Sequence, residues 1–375
     1  PCLEQTAHPI TENIKDIVPF DEELWRVFKR TQIIDKGGMR LDAIPAFIAE
    51  QLGTTDSLLV ICNLKKQAAY LFTKMNLENT VIFHLSAGMC MAHRMAVISE
   101  INSALERKHK NPDAPKVVCI STQVIEAGVD VSFGCVIRLC AGLDSVIQAA
   151  GRCNRNGELN GAADVFIINC RGEDLGMLRS IKDGKMACMS LLSDCKYHPE
   201  KYPSGLTSDE AVYAYYKKLY IQSDIGAQDM PIKIDGSPFT LFDLLSLDRT
   251  YANAPYLKAN GEKYALTQAF KTAGSRFTVF GSRTTDVIVP YGEGKEIIAE
   301  LGSKRAEEDI KYLKKLIKEA RAYTVSLYEN QRRALADSGA LHPIADGIAL
   351  ALSEEFYNEA FGLNLDGESR EAITL

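Results

Sequence analysis

The sequence lacks several features that would place it in a class of protein at once. No apolar run approaches the roughly 18 residues that a membrane-spanning helix needs, and residues 1–10 show no basic-then-apolar signal pattern. Positive charge is not in excess, because 43 lysines and arginines stand against 49 aspartates and glutamates, a net charge of −6. The composition excludes a membrane-spanning helix and a globally basic nucleic-acid coat, so any contact with nucleic acid requires a local basic patch.

Cysteine and histidine are present, but not in metal-binding patterns. The ten cysteines form no CxxC pair, which argues against a zinc ribbon, and the six histidines form no HExxH motif. Cys62, Cys119 and Cys135 lie inside apolar runs, where a free thiol packs as a small hydrophobe. This usage is typical of a reducing compartment. The sequence therefore predicts a cytoplasmic location and no metal site built by this chain.

What the chain does have is a repeated alternation of strand-like and helix-like segments. Hydrophobic residues make up 46% of the 375 positions, enough for a sizeable core, and the length suggests two or three domains. Apolar runs separated by helical spacing indicate a doubly wound parallel sheet covered on both faces. The predicted strands are 57–62, 80–85, 116–121, 135–141 and 163–170. Ligands of such sheets gather at the carboxyl ends of the strands.

The pattern changes after about residue 200. Tyrosines cluster between 202 and 220, strand-like stretches follow at 277–280 and 287–291, and a helix is predicted to start at Asp209. A single helix is predicted over 302–323, with an apolar stripe on one side. Its other side carries Lys311, Lys314, Lys315, Lys318 and Arg321. A charged stripe of this kind is more often a solvated face than a binding surface, and tyrosines at helical spacing more often pack than stack on bases.

The strongest functional signal is the segment 148–155, read as part of a helix over 144–154. Helical spacing would place Gln148, Arg152 and Arg155 on one face, and Gly151 would let another backbone or a ligand approach. Two guanidinium groups and an amide facing one way suit phosphate oxygens, including those of a phosphoryl group in transfer. The plain alternative is a solvated helix face with ordinary salt bridges.

The second segment, 121–130, follows a buried strand directly. Ser121 and Thr122 offer hydroxyls and amides where a nucleic-acid phosphate can rest. Gly128 permits a tight turn, and Asp130 can accept a hydrogen bond from a ribose hydroxyl. The alternative is a strand-to-helix connection with a capping carboxylate.

Taken together, the two segments resemble motifs V and VI of the second RecA-like domain of superfamily 2 helicases. The wording STQVIEAGVD, followed by QAAGRCNRNG, is most similar to the CRISPR-associated helicase–nuclease family of type I systems. The segments ICNLKKQA at 61–68 and HLSAGMCMAHR at 84–94 resemble the same family, as do stretches at 241–246, 268–277 and 287–295. The resemblance extends from about residue 23 to the end.

The resemblance implies a role for each of these residues. Arg152 and Arg155 would contact phosphate, with Arg155 as the arginine finger, and Gln148 would join the nucleotide pocket. Gly128 and Asp130 would link the nucleotide state to the position of the bound strand. The implied contacts to the backbone of single-stranded DNA are Thr122, its neighbour Ser121, Ser86 and Lys65.

Motifs of a complete helicase are missing. The chain has no Walker A pattern, GxxxxGK[ST], no strand ending in an Asp-Glu box and no histidine-rich nuclease segment. We therefore expect the back half of an ATP-dependent helicase of antiviral CRISPR defence, inactive alone, whose ATP and Mg²⁺ require a first RecA-like domain. The expected fold class is a RecA-like doubly wound α/β domain, then a linker region and a smaller α+β C-terminal domain. The expected divisions are 1–22 connecting segment, 23–198 RecA-like domain, 199–285 linker and 286–375 C-terminal domain.

The resemblance also implies partners, and two alternatives stay open. The partners are single-stranded DNA, the first RecA-like and nuclease domains on the same or a separate chain, and a Cascade-type CRISPR effector complex; no membrane is involved. One alternative is another superfamily 2 DNA or RNA helicase half. The other is a non-catalytic DNA-binding or docking module that uses the region after residue 200.

Overall fold

The computed structural model describes residues 29–126, 128–159, 161–176, 178–222, 231–234, 237–245, 269–277 and 284–365. The predicted connecting segment 1–22 and residues 278–280 of one predicted strand lie outside these ranges. No helix among the described residues is both long and apolar enough to cross a membrane.

The first part of the chain forms a six-stranded parallel sheet in the order β1-β6-β5-β2-β4-β3. The strands are β1 (Thr31–Arg40), β2 (Ser57–Ile61), β3 (Thr80–Leu85), β4 (Lys116–Ser121), β5 (Cys135–Leu139) and β6 (Ala163–Arg171). Neighbouring residues such as Leu58 and Leu59 are both fully buried, because they point to opposite faces that are both covered. This confirms the predicted parallel α/β class.

Helices cover the two faces of this sheet. One face is covered by α1 (Ile44–Gln51) and α2 (Lys65–Lys74), and the other by α3 (Met91–Lys110) and α4 (Leu143–Ala150). Two further helices, α5 (Arg179–Tyr197) and α6 (Asp209–Gln222), pack against α4. Tyr215 of α6 is buried, and its hydroxyl donates to Asp144 at 2.9 Å. Helix α6 begins at Asp209 as predicted, and it packs on the sheet domain although the sequence division assigns it to the linker.

The connection between β4 and β5 determines where the functional segments lie. Its described residues contain a 3-10 turn (Gln123–Ile125) and no α-helix. Thr122 stands at the carboxyl end of β4, whereas Phe133 stands just before the amino end of β5. Because the strands are parallel, this connection passes along one face from one edge of the sheet to the opposite edge.

A smaller α+β module follows. The chain first forms a hairpin of β7 (Pro231–Ile234) and β8 (Ser237–Thr240), followed by α7 (Leu241–Leu245) and α8 (Phe270–Arg276). It then forms a four-stranded sheet in the order β10-β9-β12-β11. Its strands are β9 (Thr284–Ile288), β10 (Thr324–Tyr328), β11 (Leu341–Ile344) and β12 (Ala349–Leu352), with a short pair β13 (Tyr357–Asn358) and β14 (Gly362–Leu363). Its helices are α9 (Gly294–Leu301), α10 (Lys304–Glu308), α11 (Ile310–Ala320) and α12 (Glu329–Asp337).

The helix predicted over 302–323 is wrong as a single element. Asp309 has an extended backbone, and its carboxylate accepts from the amides of Lys311 at 2.9 Å and Tyr312 at 3.1 Å. Asp309 therefore caps the start of α11, and its extended backbone separates α11 from α10, which ends at Glu308. The apolar stripe of α11 packs on the four-stranded sheet, and Lys311, Lys314, Lys315, Lys318 and Arg321 are exposed. The strand predicted at 287–291 begins earlier, at Thr284, and ends at Ile288.

Candidate functional site

The two arginines of the 148–155 segment lie beyond the end of a helix. Helix α4 ends at Ala150, and the hydrogen bond from the Gly151 amide to Ile147 O, at 3.0 Å, closes its last turn. The prediction of one helical face for Gln148, Arg152 and Arg155 is therefore wrong. The chain leaves the helix because Arg152 O accepts from the Phe133 amide at 2.9 Å, and the Asn154 amide donates to Phe133 O at 2.9 Å. This pairing between distant segments outweighs local helical spacing.

The arginine segment lies at the amino edge of the large sheet rather than at the carboxyl edge. Cys153 pairs with Phe133, just before β5, and the Asn154 side-chain amide donates to Arg30 O at 3.3 Å, just before β1. Asn154 is buried with φ 45°, a left-handed conformation that asparagine tolerates. This segment therefore lies away from the carboxyl ends of the strands, where ligands of such sheets were expected to gather.

Arg152 is almost fully enclosed. The side chain points along the face of the sheet, and its Nη2 donates to the main-chain carbonyl of Glu126 at 2.7 Å. Its Nε is buried and has no hydrogen-bond partner among the described residues. Burial, followed by the nearby charge of Arg155, lowers the pKa of the Arg152 guanidinium, which remains a cation because arginine titrates far above neutrality. The Nη2 group of Arg152 is thus engaged, whereas its Nε–H has no partner among the described residues.

Arg155 is exposed and paired with a residue from the second segment. Its Nε lies 2.9 Å from Asp130 Oδ1, and the two side chains are 42% and 86% exposed. The Arg155 amide donates to Ser132 Oγ at 3.1 Å, and its carbonyl accepts from Arg30 Nη1. The backbone of Arg155 is therefore held in place, while its guanidinium stays at the surface.

Gly128 supplies the turn that brings the two segments together. Its φ of +73° lies in the left-handed region, which favours glycine, and it stands between Glu126 and Asp130. The structure thus brings Gly128, Asp130, Arg152 and Arg155 into one cluster. Gln148 exposes its side chain from α4, one helical turn before Arg152.

A cavity of about 650 Å³ opens beside this cluster at the amino edge. Asp130 and Asn154 line it from one side, and residues from the end of α3, including Lys108, line it from another. Lys108 lies 3.4 Å from Asp56 Oδ1, so the lining carries charges of both signs.

The residues assigned to DNA contact lie at the opposite, carboxyl edge. Ser121 is fully buried, and its hydroxyl lies 3.0 Å from Leu85 O. Ser86 is also buried, and its hydroxyl accepts from the Gly88 amide at 3.2 Å. Thr122 is 5% exposed, and its buried Oγ1 has no partner among the described residues. Lys65, the first residue of α2, is exposed. The edge brings all four together but presents only Lys65 openly.

The C-terminal module covers part of this edge. Leu363 N donates to Gly88 O at 2.8 Å, and the Cys90 amide donates to the Tyr357 hydroxyl at 3.0 Å. The ring of His93 stacks on Tyr291 with 4.2 Å between centroids. The loop that holds Ser86 is therefore packed beneath residues from the end of the described chain.

Two histidines, His84 and His93, lie in this contact, and no sequence pattern pointed to them. Burial, together with the neighbouring His93, lowers the pKa of His84 to about 4. Burial also lowers the pKa of His93, whose Nε2 lies 3.0 Å from Glu359 O. His84 Nδ1 is buried without a partner among the described residues.

Sequence reasoning also missed a buried ion pair beside the arginine cluster. Arg138 of β5 is fully buried, and its Nε lies 2.8 Å from Glu126 Oε1. Burial raises the pKa of Glu126, and the charge of Arg138 opposes that rise. An arginine inside the apolar run CVIRLCA was the available signal, because a charge in a buried strand requires a partner.

Residues 54–158 match the family model for the C-terminal part of the CRISPR-associated nuclease/helicase Cas3. The resemblance to the Cas3 helicases is confirmed. Over 41 residues the chain is 66% identical to the CRISPR-associated nuclease/helicase Cas3 of Haloferax volcanii, an alignment covering 11% of this chain and 4% of that protein. The Cas3-like match contains both arginines, Asp130 and all four residues of the carboxyl edge.

Other relatives extend the likeness to the wider helicase superfamily. The chain is 24% identical over 184 residues to the ATP-dependent RNA helicase eIF4A of Meyerozyma guilliermondii, covering 48% of this chain and 42% of that protein. The fold is also similar to a crystal structure of a CRISPR-associated protein, with a TM-score of 0.51 and 14% identity. That alignment covers 89% of this chain and 40% of the other chain. The fold is therefore RecA-like, and the chain spans less than half the length of these relatives.

Proposed function

We propose that the chain is the C-terminal half of an ATP-dependent single-stranded DNA translocase of type I CRISPR interference. In this proposal it supplies two arginines and a DNA-contacting edge to an ATP site that a first RecA-like domain completes. One observation carries the proposal: the Glu126 carbonyl accepts from Arg152, and the Asp130 carboxylate pairs with Arg155. All four residues lie in the part of the chain that matches the Cas3 family model.

Arg155 is the proposed arginine finger. An exposed ion pair such as Arg155–Asp130 contributes only about 0–1 kcal/mol, so the guanidinium can exchange Asp130 for a phosphate at little cost. An arginine that meets the charge developing on a transferred phosphoryl group accelerates hydrolysis about 10³–10⁵-fold. Asp130, once released, is free to accept a hydrogen bond from a ribose hydroxyl, and the exposed Gln148 would extend the same pocket.

The donors present fit a triphosphate. Arg152 Nε is a buried donor without a partner among the described residues, and a phosphate oxygen would satisfy it. The proposal assigns the Walker A loop and the Mg²⁺ ligands to the first RecA-like domain; the described residues contain no group of three or more metal-ligating side chains. Magnesium, when bound with ATP, would neutralise charge on the phosphates.

The carboxyl edge is the proposed track for single-stranded DNA. Lys65 is an exposed residue whose ammonium can meet a backbone phosphate, although partial burial lowers its pKa. The buried Thr122 hydroxyl has no partner among the described residues. Contacts from Ser86 and Ser121 stay predictions, and their hydroxyls are engaged within the protein. Gly128 and Asp130 would link this edge to the nucleotide, because their segment starts from Thr122.

The remaining parts of the proposal concern the whole enzyme. A nuclease domain on the same or a separate chain, recruitment by a Cascade-type effector complex and a cytoplasmic location follow from the Cas3 resemblance. We also propose the domain division at about 23–198, 199–285 and 286–375, with α6 packed on the first domain and the whole of β9 belonging to the last.

The test combines this chain with a first RecA-like domain that carries a Walker A loop. We expect ATP hydrolysis that single-stranded DNA stimulates, and Arg155→Ala should lower turnover by about 10³-fold or more. Arg332→Ala is the matched control, because Arg332 is a similarly exposed arginine whose Nε lies 2.9 Å from Glu329. Undiminished turnover in Arg155→Ala would refute the finger assignment.

A second candidate, an RNA helicase half, is favoured by the likeness to eIF4A. The sheet motifs alone do not distinguish the two nucleic acids. A binding comparison between DNA and RNA single strands of equal length decides between them, and tighter binding of RNA would support this candidate.

A further inference from the structure

We propose that the buried pair of Glu126 and Arg138 positions Arg152 and couples it to the DNA-contacting edge of the sheet. The inference rests on the function proposed above, since it concerns the arginine cluster of that same site. It assigns a role to two residues that contact neither the nucleotide nor the strand in that function.

The first half of the link joins Arg138 to the loop that carries Lys65. Arg138 Nη1 donates to Asn63 Oδ1 at 2.7 Å, and it also contacts the carbonyls of Ile61 at 3.3 Å and Leu139 at 2.7 Å. Asn63 directly follows β2 and stands two positions before Lys65, where α2 begins. A shift of this loop on binding a strand therefore acts directly on the Arg138 guanidinium.

The second half of the link joins Glu126 to the arginine cluster. Its carboxylate lies 2.8 Å from Arg138 Nε, while its main-chain carbonyl accepts from Arg152 Nη2 at 2.7 Å. One residue thus holds two arginines through different atoms. When Arg138 moves, Glu126 follows, and the carbonyl on which Arg152 rests moves with it.

Stability alone gives a poor reason for this pair. Removing two charges from water is costly, and a well-packed apolar pair is often as stable as a buried ion pair. The Glu126 and Arg138 side chains are 5% and 0% exposed, and Arg138 Nη2 is buried without a partner among the described residues. The two groups attract as charges 2.8 Å apart without the alignment of a hydrogen bond, and an apolar pair would not supply that electrostatic connection between the two edges.

A second buried ion pair offers a matched control. Lys185 lies 2.6 Å from Glu173 Oε2, with side chains 12% and 1% exposed, and Glu173 Oε1 accepts from the Asn63 side-chain amide at 3.0 Å. This pair contacts the same loop, but among the described residues its contacts lead to α2 and α5 instead of the 126–130 segment. Lys185→Met therefore removes a buried charge of the same kind that meets the link at Asn63 but, in the described part of the chain, makes no contact with Arg138 or the 126–130 segment.

The experiment uses this chain assembled with its first RecA-like domain and measures ATP turnover with and without single-stranded DNA. The ratio of the two rates does not depend on the fraction of folded enzyme. We expect Glu126→Gln, which keeps the shape and the carbonyl, and Arg138→Met to lower the ratio about fivefold or more. Lys185→Met should keep the ratio of the parent enzyme.

A binding measurement covers variants whose turnover is too low to follow. The Kd for single-stranded DNA is measured with and without a non-hydrolysable ATP analogue, and the ratio of the two Kd values gives the coupling between the binding sites directly. The double variant Glu126→Gln/Arg138→Met removes both charges at once and avoids leaving one buried alone. It should also lose the coupling.

The outcomes separate this inference from the proposed function. If Glu126→Gln and the double variant keep the same coupling between DNA and ATP as the parent enzyme, the inference is overturned, even if Arg155→Ala abolishes turnover. An equal loss in Lys185→Met would also overturn it, because any buried charge would then matter. Turnover that survives Arg155→Ala removes the proposed function itself.

Discussion

Single hydrogen bonds decide how Arg152 and Arg155 differ. Arg152 points inward, because the carbonyl of Glu126 receives its guanidinium. Arg155 stays at the surface, because its backbone is fixed by Ser132 and its side chain meets an exposed Asp130. Neither carbonyl nor backbone contact is visible in a sequence, so the residue types could be predicted but their surroundings could not.

His84 makes a residue-scale prediction about pH. Its pKa falls from an ordinary 6.5 to about 4 in the fold. The unfolded chain thus binds a proton first, so folding stability is full above pH 6.5 and falls as the pH drops toward 4. We expect a loss of about 2 kcal/mol between roughly pH 7 and pH 5 from this group, with His93 acting in the same direction.

The measurement is the free energy of unfolding in urea at both pH values. His84→Phe removes the titrating ring and its unpartnered Nδ1, and aromatic neighbours Phe72 and Phe361 surround the site. The variant should therefore lose less stability than the parent on acidification. Equal pH dependence in both proteins would contradict the assignment.

At the scale of elements, burial on both faces decides what the sequence can predict. Strands β2 to β6 are continuous apolar runs, and each was located to within two residues of its ends. Strand β1 was missed because its sequence TQIIDKGGMR mixes polar residues and glycines, whereas β3, at the opposite edge of the sheet, has the mostly apolar sequence TVIFHL and was located. The turn after α4 was missed because its pairing with Phe133 is a tertiary contact.

The Asp309 cap is an element-scale prediction. Asp309→Ala removes the acceptor for two amides at the start of α11 and should lower the free energy of unfolding by about 1 kcal/mol. Asp309→Asn keeps an acceptor oxygen and should retain most of the stability. Urea unfolding of the three proteins checks this, and identical midpoints would show that the cap is not needed.

Gly362 tests how the C-terminal module docks on the large sheet. Its φ is +76°, and a methyl group there would overlap the Gly88 carbonyl. Gly362→Ala should destabilise the protein by about 1–3 kcal/mol through strain and displaced docking. Gly339→Ala is the matched control, because φ is +73° with open space around it. Unfolding free energies that fall equally in both variants would mean that only the backbone strain matters.

At the scale of the whole molecule, a net charge of −6 makes the location of each cation important. Lys65 lies at the carboxyl edge beside the exposed Lys66, whereas α11 presents four exposed lysines far along the chain. One of them, Lys315, lies 3.6 Å from Glu319. The apolar stripe of α11 already packs on the four-stranded sheet, so the lysine face needs no ligand to explain it.

The salt dependence of single-strand binding distinguishes these surfaces. Lys65→Gln should lower the slope of log K against log salt by about 0.7, the value for one phosphate. Replacing Lys311, Lys314, Lys315 and Lys318 with glutamine should leave the slope unchanged. Should that fourfold variant instead lose several times this amount, the α11 face would be the DNA surface and the docking-module alternative would gain support.

The connection from Thr122 to Gly134 has a practical consequence for protein engineering. Its two ends lie at opposite edges of the sheet, and its middle contacts Arg152 through the Glu126 carbonyl and Arg155 through the Asp130 carboxylate. Adding or deleting a residue there would therefore displace one of these contacts relative to the other. The turn at 156–159 belongs to the same site, because Glu158 accepts from Ser132 Oγ at 3.2 Å and the Leu159 amide donates to Asn154 Oδ1 at 3.1 Å. Fluorescent labels or inserted reporter peptides belong instead in a turn away from both segments, such as the exposed residues 346–348 between β11 and β12.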